Sequence, residues 1–333
     1  MLILINNLNA LVSLTMDDSG QQKTLIVEKN LVEDLDLDQF FAVELCPICC
    51  SEITELVGNS RTIHPKSKYD FLIKKCLKCG HWFTDPTPEQ NYLLKLYSDY
   101  SLSVYGEGWV NQITNKYLNH PNYQELFSNN WILKKECKTS KKGNYLEIGP
   151  GGGEILKCFE SLGWNCYGVE PGRWVNGNPK ILHNFSKLPT NILYDVIVAE
   201  DVIEHVTNPL KMISELSKKL SANGRIYFTF PNSESLRSKL RKTSWRMVRP
   251  IGHLHYFSFK SISIALYASN LKLCNKSNYD LLYSRKYLIN EMKSNLFKLN
   301  VKIIFSLIAN LVISLICMLF NSGDQWRITA VKR

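Results

Sequence analysis

A glycine-rich turn follows a short apolar run near the middle of the chain, from Tyr145 to Gly153 (YLEIGPGGG). Glycines let the backbone approach a ligand closely and expose its N–H groups. The helical pattern that begins at Glu154 places a helix N-terminus behind the turn, which favours ligand oxygens and negative charge. The turn fits neither the dinucleotide fingerprint, whose sixth position is Glu154 here, nor the phosphate loop, because no Gly-Lys-Ser/Thr follows. We therefore expect a nucleotide-like cofactor of another kind.

The segments after this turn alternate between strand and helix patterns. Residues 164–170 predict a strand that ends in Glu170, a carboxylate able to accept both ribose hydroxyls of a nucleotide. Residues 194–199 have the pattern of a buried strand, and 209–220 have one apolar helical face. Asn223-Gly224 is expected to end that helix, and 225–230 predict a further strand. This alternation predicts an α/β fold with a parallel, doubly wound sheet.

These segments together resemble the class I S-adenosylmethionine-dependent methyltransferases. The turn after Glu147 is similar to their first motif, an acidic residue followed by G-x-G-x-G. Members commonly read D-V-I, E-H-V and N-P-L at the fourth strand, P-N after the fifth, and H-L-x-Y-F-S soon afterwards. The matching positions are 195–197, 204–206, 208–210, 231–232 and 253–258. The resemblance covers about residues 143–333. It is closest to the subgroup of the ubiquinone O-methyltransferases and bacterial glycan-cluster methyltransferases, and it implies a mostly parallel seven-stranded, Rossmann-like sheet.

The resemblance also implies which residues hold the cofactor, S-adenosylmethionine. They are Glu147, Gly149, Gly151, Gly153, Glu170 and Asp201. If the acceptor is a hydroxyl or an amine, a general base assists the transfer, and His205 is the leading candidate, just beyond the fourth strand. His253 and His255 follow from the loop after the fifth strand, and each of the three histidines is equally well explained as a structural residue.

A divalent metal is a further expectation from the ubiquinone-type relatives, in which an acidic residue and the E-H pair are linked to such an ion. The matching positions are Asp201, Glu204 and His205. Those relatives have Glu where this chain has Asp201. Glu204, which we also count among the candidate catalytic residues, can equally cap or brace the following helix.

Two C-x-x-C pairs, Cys46 with Cys49 and Cys76 with Cys79, stand ahead of this domain. Four thiolates paired in this way suit one tetrahedral zinc ion with a structural role. Disulfides and buried free thiols are the alternatives. The N-terminus lacks the basic start and cleavage site of a secretory signal, so we expect a cytoplasmic protein without disulfides. This segment also resembles the zinc ribbon with which many bacterial sugar-pathway methyltransferases begin. That ribbon typically ends C-x-x-C-G…F-x-D-P-x-P.

We therefore expect four regions and one insertion. They are an N-terminal extension (1–40), a zinc ribbon (41–88), a helical linker or lid rich in aromatic residues (89–140), and a methyltransferase domain (141–333) with an apolar helical insertion at about 288–322. Within the insertion, 303–323 carries no charge and is long enough to span a bilayer. The last ten residues, however, have the pattern of an alternating strand. In the family fold this final strand lies antiparallel within the sheet, and a single crossing of the bilayer would separate it from the sheet.

We accordingly expect residues 303–323 to be an in-plane or half-inserted membrane helix, or part of a helical hairpin. Ser306, Asn310 and Ser314 would form its weakly polar stripe. Burial in a homodimer interface is the alternative. The net charge is +10, and residues 237–249 hold six basic and no acidic residues. This cluster is either a solvated loop or a patch for anionic substrate groups or phospholipid, which would place the protein at the inner face of the membrane.

The expected reaction is methylation of a sugar hydroxyl on a nucleotide-linked or lipid-linked glycan, in cell-surface polysaccharide biosynthesis. A quinone-like lipid phenol is the second acceptor. A non-catalytic scaffold with a degenerate cofactor site is a different class, against which the intact glycine motif and Glu170 argue. An RNA methyltransferase is the third class. No recognised nucleic-acid-binding module accompanies the basic cluster, so nucleic acid is not an expected partner.

Overall fold

In a computed structural model of the protein, the described residues are 12–16, 22–26, 35–61, 70–96, 130–136, 142–172, 178–280 and 301–333. Most of the expected linker or lid (89–140) lies outside them, as do residues 288–300 of the apolar insertion. Within the N-terminal extension, β1 (Val12–Met16) and β2 (Gln22–Ile26) form an antiparallel hairpin.

The cysteine-containing region forms short antiparallel strands. They are β3 (Phe40–Phe41), β4 (Thr54–Arg61), β5 (Asp70–Cys76), β6 (Trp82–Asp85) and β7 (Thr87–Pro88). β4, β5 and β6 pair in succession, and β3 pairs with β7. The hairpin of β4 and β5 lies between the two C-x-x-C pairs in the chain.

The remaining elements alternate along the chain. They are α1 (Trp131–Glu136), β8 (Asn144–Ile148), α2 (Glu154–Ser161), β9 (Asn165–Val169), β10 (Ile181–Leu182), β11 (Tyr194–Glu200), α3 (Pro209–Lys219), β12 (Leu220–Pro231), α4 (Leu236–Arg241), β13 (His255–Tyr256), α5 (Phe259–Ala268), β14 (Leu271–Tyr279), α6 (Val301–Leu319) and β15 (Gln325–Lys332). Seven of the strands form one sheet in the order β10-β9-β8-β11-β12-β15-β14. β15 is antiparallel to both neighbours, and the other pairings are parallel. The expected class I methyltransferase fold is thereby confirmed.

The sheet places its ligand edge at a predictable point. Parallel strands buried on both faces read as continuous apolar runs, and Val196 to Ala199 in β11 is such a run, fully buried. The chain leaves β8 towards β9 on one side and returns to β11 on the other side of β8. Ligands of open α/β sheets bind beyond the carboxyl ends of the strands at this reversal. The glycine turn and the loop after β11 both lie there.

One boundary differs from the sequence-based prediction. We expected Asn223-Gly224 to separate a helix from a strand that begins at Arg225. The helix does end at Lys219, but β12 already starts at Leu220. Tyr194 pairs with Leu220 and Val196 pairs with Arg225, so the intervening residues form an irregularity within the strand. Asn223-Gly224 therefore bends β12 and does not precede it.

The ribbon region, as we call the described residues within 41–88, shares a sheet with the α/β domain that follows it. β13, from the domain, pairs antiparallel with β6, which gives the order β13-β6-β5-β4. Trp82, Trp245 and Tyr256 pack together beneath this sheet as buried aromatic side chains. Because the domain contributes both a strand and part of the core, the ribbon region is held rigidly against it.

The apolar insertion contains the helix α6, which docks on α4. The fully buried side chain of Arg237 donates to Asn310 Oδ1 (3.1 Å) and to Ser314 Oγ (2.6 Å). Two members of the weakly polar stripe therefore face the protein interior, and not a headgroup layer. No helix in the described part of the chain is long and apolar enough to cross a membrane.

Candidate functional site

A cavity of about 660 Å³ lies at the carboxyl ends of β8, β9 and β11. The predicted site residues that line it are Gly149, Gly151, Glu170, Asp201 and His205. The predicted residues that do not are Glu147, Gly153, Glu204, His253 and His255. Apolar side chains such as Val169, Val202 and Phe185 form one part of the wall, and polar side chains from the start of α3 form another. A nucleoside and a second, polar molecule can share such a space.

The glycine turn needs its glycines for conformation and for access. Gly149, Gly151 and Gly153 have φ angles of +68°, +56° and +82°, which other residues adopt with strain. A Cβ atom on Gly149 would lie 2.9 Å from Val202 Cγ2, whereas one on Gly151 would meet nothing within 4 Å. Gly151 therefore faces open space in the cavity, where a ligand can approach the backbone. Gly153 starts α2 without any side-chain cap.

Glu170 connects the end of β9 to the glycine turn. Its Oε2 accepts from the Gly151 N–H (3.3 Å), and its Oε1 accepts from the Gly172 N–H (3.0 Å). Burial raises the pKa of this carboxyl, while the two N–H groups oppose the rise. Each carboxylate oxygen can accept a further bond, so Glu170 is placed to receive the two hydroxyls of a ribose.

Glu147 lies beneath the turn and outside the cavity wall. The Tyr145 hydroxyl donates to Glu147 Oε2 (3.0 Å). Burial raises the pKa of Glu147 to about 8, and the negative charge of Glu200 adds to the rise. Glu200 is in turn held by Trp131, whose indole N–H donates to it (2.8 Å). The structure thus places Glu147 as a buried support of the turn, and its predicted contact with the cofactor remains a prediction.

Asp201 follows β11 with a φ angle of +54°. Its backbone N–H donates to Thr229 O and to Thr229 Oγ1, both at 3.0 Å, and the Thr229 hydroxyl contacts Asp201 Oδ1 (3.1 Å). These bonds fix an otherwise strained residue at the cavity wall. Sequence reasoning missed Thr229, since nothing local relates it to Asp201.

His205 lines the cavity, and one of its two ring nitrogens is bonded to the backbone. Its Nδ1 lies against the carbonyl oxygen of Gly252. A carbonyl only accepts, so Nδ1 carries the proton and Nε2 carries the lone pair. Desolvation lowers the pKa of His205 to about 4, with the positive charge of Arg249 adding to the effect, although 27% of the side chain stays exposed. The ring is therefore neutral near pH 7 and Nε2 keeps its lone pair, but the same desolvation makes this nitrogen a weaker base than a free imidazole.

Glu204 and His253 lie next to His205 and behind the cavity wall. One ligand atom from each of Glu204, His205 and His253 lies within 4.8 Å of the others. Both carboxyl oxygens of Glu204 are fully buried without a hydrogen-bond partner, and burial raises the pKa of this group. Two imidazoles and one carboxylate form a donor set that suits a divalent transition metal. We expected Asp201 in this set, but Asp201 is held by Thr229 and His253 takes the third place.

His255 lies elsewhere. It sits on β13, where its Nδ1 is 3.2 Å from Nε2 of His81 in the ribbon region. Both rings are fully buried, and desolvation lowers both pKa values, that of His255 to about 4. This pair joins the ribbon region to the domain. Its placement supports the alternative that we left open, a structural histidine.

The four cysteines of the two C-x-x-C pairs converge. Their Sγ atoms lie within 4.8 Å of one another, with 3.6 Å between Cys46 and Cys79 and 3.5 Å between Cys49 and Cys76. Tetrahedral zinc with Zn–S bonds of about 2.3 Å separates its sulfurs by roughly 3.8 Å. The cluster therefore fits a metal ion without rearrangement. Cys50, which is adjacent in sequence, is exposed and outside the cluster.

A second cleft of about 550 Å³ runs between the ribbon region and the domain. It shares Thr207, Asn208 and Lys211 with the cofactor cavity. Its ribbon wall is apolar and includes Phe41, which is 48% exposed, and Leu45, which is 44% exposed. No local pattern in the sequence predicts this cleft, because its two walls come from segments far apart in the chain.

Part of the chain is similar to known proteins. Residues 120–275 match the family model of a methyltransferase domain, and no curated protein sequence matches the chain. A methyltransferase dependent on S-adenosylmethionine from Archaeoglobus fulgidus is 16% identical, with 68% of this chain and 100% of that chain covered and a TM-score of 0.43. One from Clostridium acetobutylicum is 10% identical, with coverages of 67% and 97% and a TM-score of 0.39. One from Mesorhizobium loti is 11% identical, with coverages of 61% and 97% and a TM-score of 0.39.

Proposed function

We propose, from the match of residues 120–275 to the family model of a methyltransferase domain, that this protein is an S-adenosylmethionine-dependent methyltransferase that methylates a hydroxyl of a sugar acceptor carried on a nucleotide or a lipid. One observation carries the proposal. A single cavity brings together the glycine turn, the Glu170 carboxylate and the lone pair of His205. The first two suit a nucleoside with a charged tail, and the third suits an acceptor hydroxyl.

The bound cofactor supplies a methyl group on a positively charged sulfur, which is a good leaving group. The protein has to hold the acceptor oxygen in line with the carbon–sulfur bond, and such positioning accounts for much of the rate. Nε2 of His205 would accept the hydroxyl proton as the acceptor oxygen is methylated. Gly252 keeps the ring in the required tautomer.

The polar wall of the cavity favours a sugar over an apolar acceptor. Asn208, Lys211 and Glu215, from the start of α3, line the same space as His205. Amide, ammonium and carboxylate groups at this spacing can bond several hydroxyls of one ring. A quinone-like phenol has fewer hydroxyls with which to bond these groups.

The second cleft supports a lipid-linked form of the acceptor. Thr207, Asn208 and Lys211 border both spaces, so one amphiphilic molecule can place its sugar in the cavity and its apolar part beside Phe41 and Leu45. The exposed ammonium group of Lys211 lies at the junction, where a linking phosphate would pass. Such an acceptor belongs to the assembly of cell-surface polysaccharides.

The four-cysteine cluster would hold a structural zinc ion. All four ligand positions of a tetrahedral ion would be filled by thiolates, so no position is left for a substrate. Since β6 pairs with β13 of the domain, the metal would fix one wall of the second cleft.

A divalent ion held by Glu204, His205 and His253 is an alternative to the base role of His205, because the Nε2 lone pair cannot bind a metal and accept a proton at once. It rests on the orphaned carboxyl oxygens of Glu204. Such an ion would act as a Lewis acid that lowers the pKa of the acceptor hydroxyl. Isothermal titration of the protein with Mn²⁺ tests it: tight binding that His253→Gln abolishes is the expected result, and equal binding by both proteins contradicts it.

The acceptor is tested by incubating the protein with methyl-labelled S-adenosylmethionine and three pools: nucleotide sugars, lipid-linked glycans and quinone precursors. Mass spectrometry of the labelled product is expected to show a methyl ether on a sugar. His205→Gln should lower the turnover rate and leave the affinity for S-adenosylhomocysteine unchanged. Label in the quinone-precursor pool would show that the acceptor is a phenol and not a sugar. Cofactor binding without any transfer would favour the non-catalytic scaffold.

A further inference from the structure

The helix α6 is anchored through its polar side. The buried guanidinium of Arg237 donates to Asp280 Oδ2 (2.9 Å), to Ser314 Oγ (2.6 Å) and to the carbonyl oxygen of Asn310 (3.3 Å). Arg241, one turn further along α4, donates to Asn310 Oδ1 (3.0 Å). Cys317, which is 1% exposed, lies on the same side of α6. Two arginines and a carboxylate therefore fix which side of the helix faces inward.

The outward side of α6 is a continuous apolar stripe. Ile308, Val312, Leu315 and Leu319 follow the i, i+4, i+7, i+11 spacing of one helical face. Their exposed fractions are 43%, 48%, 48% and 76%, and Phe320 continues the stripe with 76% exposed. At 100° per residue, Asn310, Ser314 and Cys317 point to the opposite side.

This orientation is the reverse of an ordinary surface helix, which buries its apolar stripe and shows polar residues to water. A helix that is free to turn would bury Leu315 and Leu319 and expose Asn310. The buried bonds of Arg237 prevent that turn. The stripe is therefore held outward, towards an environment that is itself apolar.

The stripe is too small for a stable contact with a second copy. From Ile308 to Leu319 it is about 16 Å long and roughly 10 Å wide, so it offers on the order of 200 Å², whereas a standard interface buries about 800 Å² on each partner. A bilayer needs no shape-matched partner, and insertion of a few large side chains plus a few cations is enough for reversible binding.

Charge complementarity supports the bilayer. Four of the six basic residues in 237–249 are engaged within the protein, since Arg246 pairs with buried Asp324, Arg249 donates to the carbonyl oxygen of residue 246, and Arg237 and Arg241 hold α6. The two lysines, Lys239 and Lys242, are exposed, as is Leu240 between them, which is 62% exposed. These three side chains stand on or just after α4, which contacts α6.

We propose that the α6 stripe, together with Lys239, Leu240 and Lys242, is a docking surface for a bilayer that contains anionic phospholipid. The helix lies in the interface with its apolar side among the acyl chains. The two lysines contact headgroup phosphates. The proposal goes beyond methyl transfer and requires no acceptor, so it stands or fails independently of the proposed reaction.

The test is co-sedimentation of the full-length protein with sucrose-loaded vesicles of phosphatidylcholine, with and without phosphatidylglycerol. The protein is expected to bind the anionic vesicles and to bind neutral ones less. Leu315→Glu should weaken binding by roughly tenfold or more, because an ionised carboxylate would have to leave water. Removing both lysines should weaken binding to the anionic vesicles by roughly 20-fold, from about fivefold for each.

Leu193→Glu is the matched control, since Leu193 is 49% exposed against 48% for Leu315 and lies in the turn before β11. It should bind vesicles as the unmodified protein does. Absence of vesicle binding, or equal loss in both variants, overturns the proposal. A concentration-dependent dimer that Leu315→Glu dissociates, without vesicle binding, would assign the stripe to a second copy. Circular dichroism and S-adenosylhomocysteine binding confirm that each variant is folded.

Discussion

Replacing Arg237 by alanine should release α6 from the domain. The Arg237 side chain is 1% exposed, and it bonds Asp280 as well as Asn310 and Ser314 of α6. Removal of one partner of a buried ion pair costs about 3–5 kcal/mol. Asp280 retains 14% exposure and a bond from the Ser314 hydroxyl (3.0 Å), so we expect the lower end, about 3 kcal/mol. Locally, this corresponds to amide exchange in α6 that is roughly 100-fold faster.

Hydrogen exchange measured by mass spectrometry on peptides that cover residues 308–319 is the appropriate assay. Arg225→Ala is the matched control, because Arg225 also pairs with a buried carboxylate, Glu136, but is 48% exposed with a nitrogen–oxygen distance of 3.4 Å. An exposed pair of this kind contributes about 0–1 kcal/mol, and its loss should leave exchange in α6 unchanged. Exchange in Arg237→Ala at the rate of the unmodified protein would refute the account of how α6 is held.

Three further predictions concern the cysteine cluster, the glycine turn and two histidines. The purified protein should contain one zinc ion per chain, as measured by atomic emission. Cys79→Ala should lose this zinc and Cys50→Ser should retain it. Absence of zinc from both the unmodified protein and Cys50→Ser would contradict the four-thiolate site. Gly151→Ala should cost about 1–2 kcal/mol of stability through its positive φ, yet weaken cofactor binding further, because the added Cβ enters the cavity. The NMR signals of the His205 and His255 rings should not titrate between about pH 8 and pH 5, since both pKa values are lowered to about 4.

The sign of the histidine effect on stability follows from the direction of those shifts. The folded pKa lies below the ordinary value of 6.5, so unfolding at acid pH takes up protons on these rings. Their contribution to stability is therefore complete above about pH 6.5 and declines as the pH falls from there through about 4. Ring signals that titrate near 6.5 in the folded protein would contradict the burial of these groups.

The parts of the fold that could be predicted from the sequence are those that depend on residues close together in the chain. The glycine turn, the two C-x-x-C pairs and the alternating final strand each occupy one short segment, and the structure has all three. β15 lies between β12 and β14, as the family resemblance implied. Its backbone is therefore hydrogen-bonded along both edges.

The parts that were missed depend on residues far apart in the chain. The basic cluster was expected to be either a solvated loop or a patch for anions, but Arg237 is buried by partners at positions 280, 310 and 314 that no local pattern connects to it. His255 was a candidate base because it follows the fifth strand in sequence. The structure instead pairs it with His81 from the ribbon region, a contact that exists only because β13 joins the ribbon sheet.

The central claim is that the cavity at the carboxyl edge of the sheet binds S-adenosylmethionine through the glycine turn and Glu170. Calorimetric titration of the zinc-replete protein with S-adenosylhomocysteine, with NAD as the control ligand, tests it most directly. Micromolar binding of S-adenosylhomocysteine alone, lost in Glu170→Ala, is the predicted result, because the two oxygens that would receive the ribose hydroxyls are removed. A folded protein that does not bind S-adenosylhomocysteine, or that binds it equally well without the Glu170 carboxylate, would contradict the account.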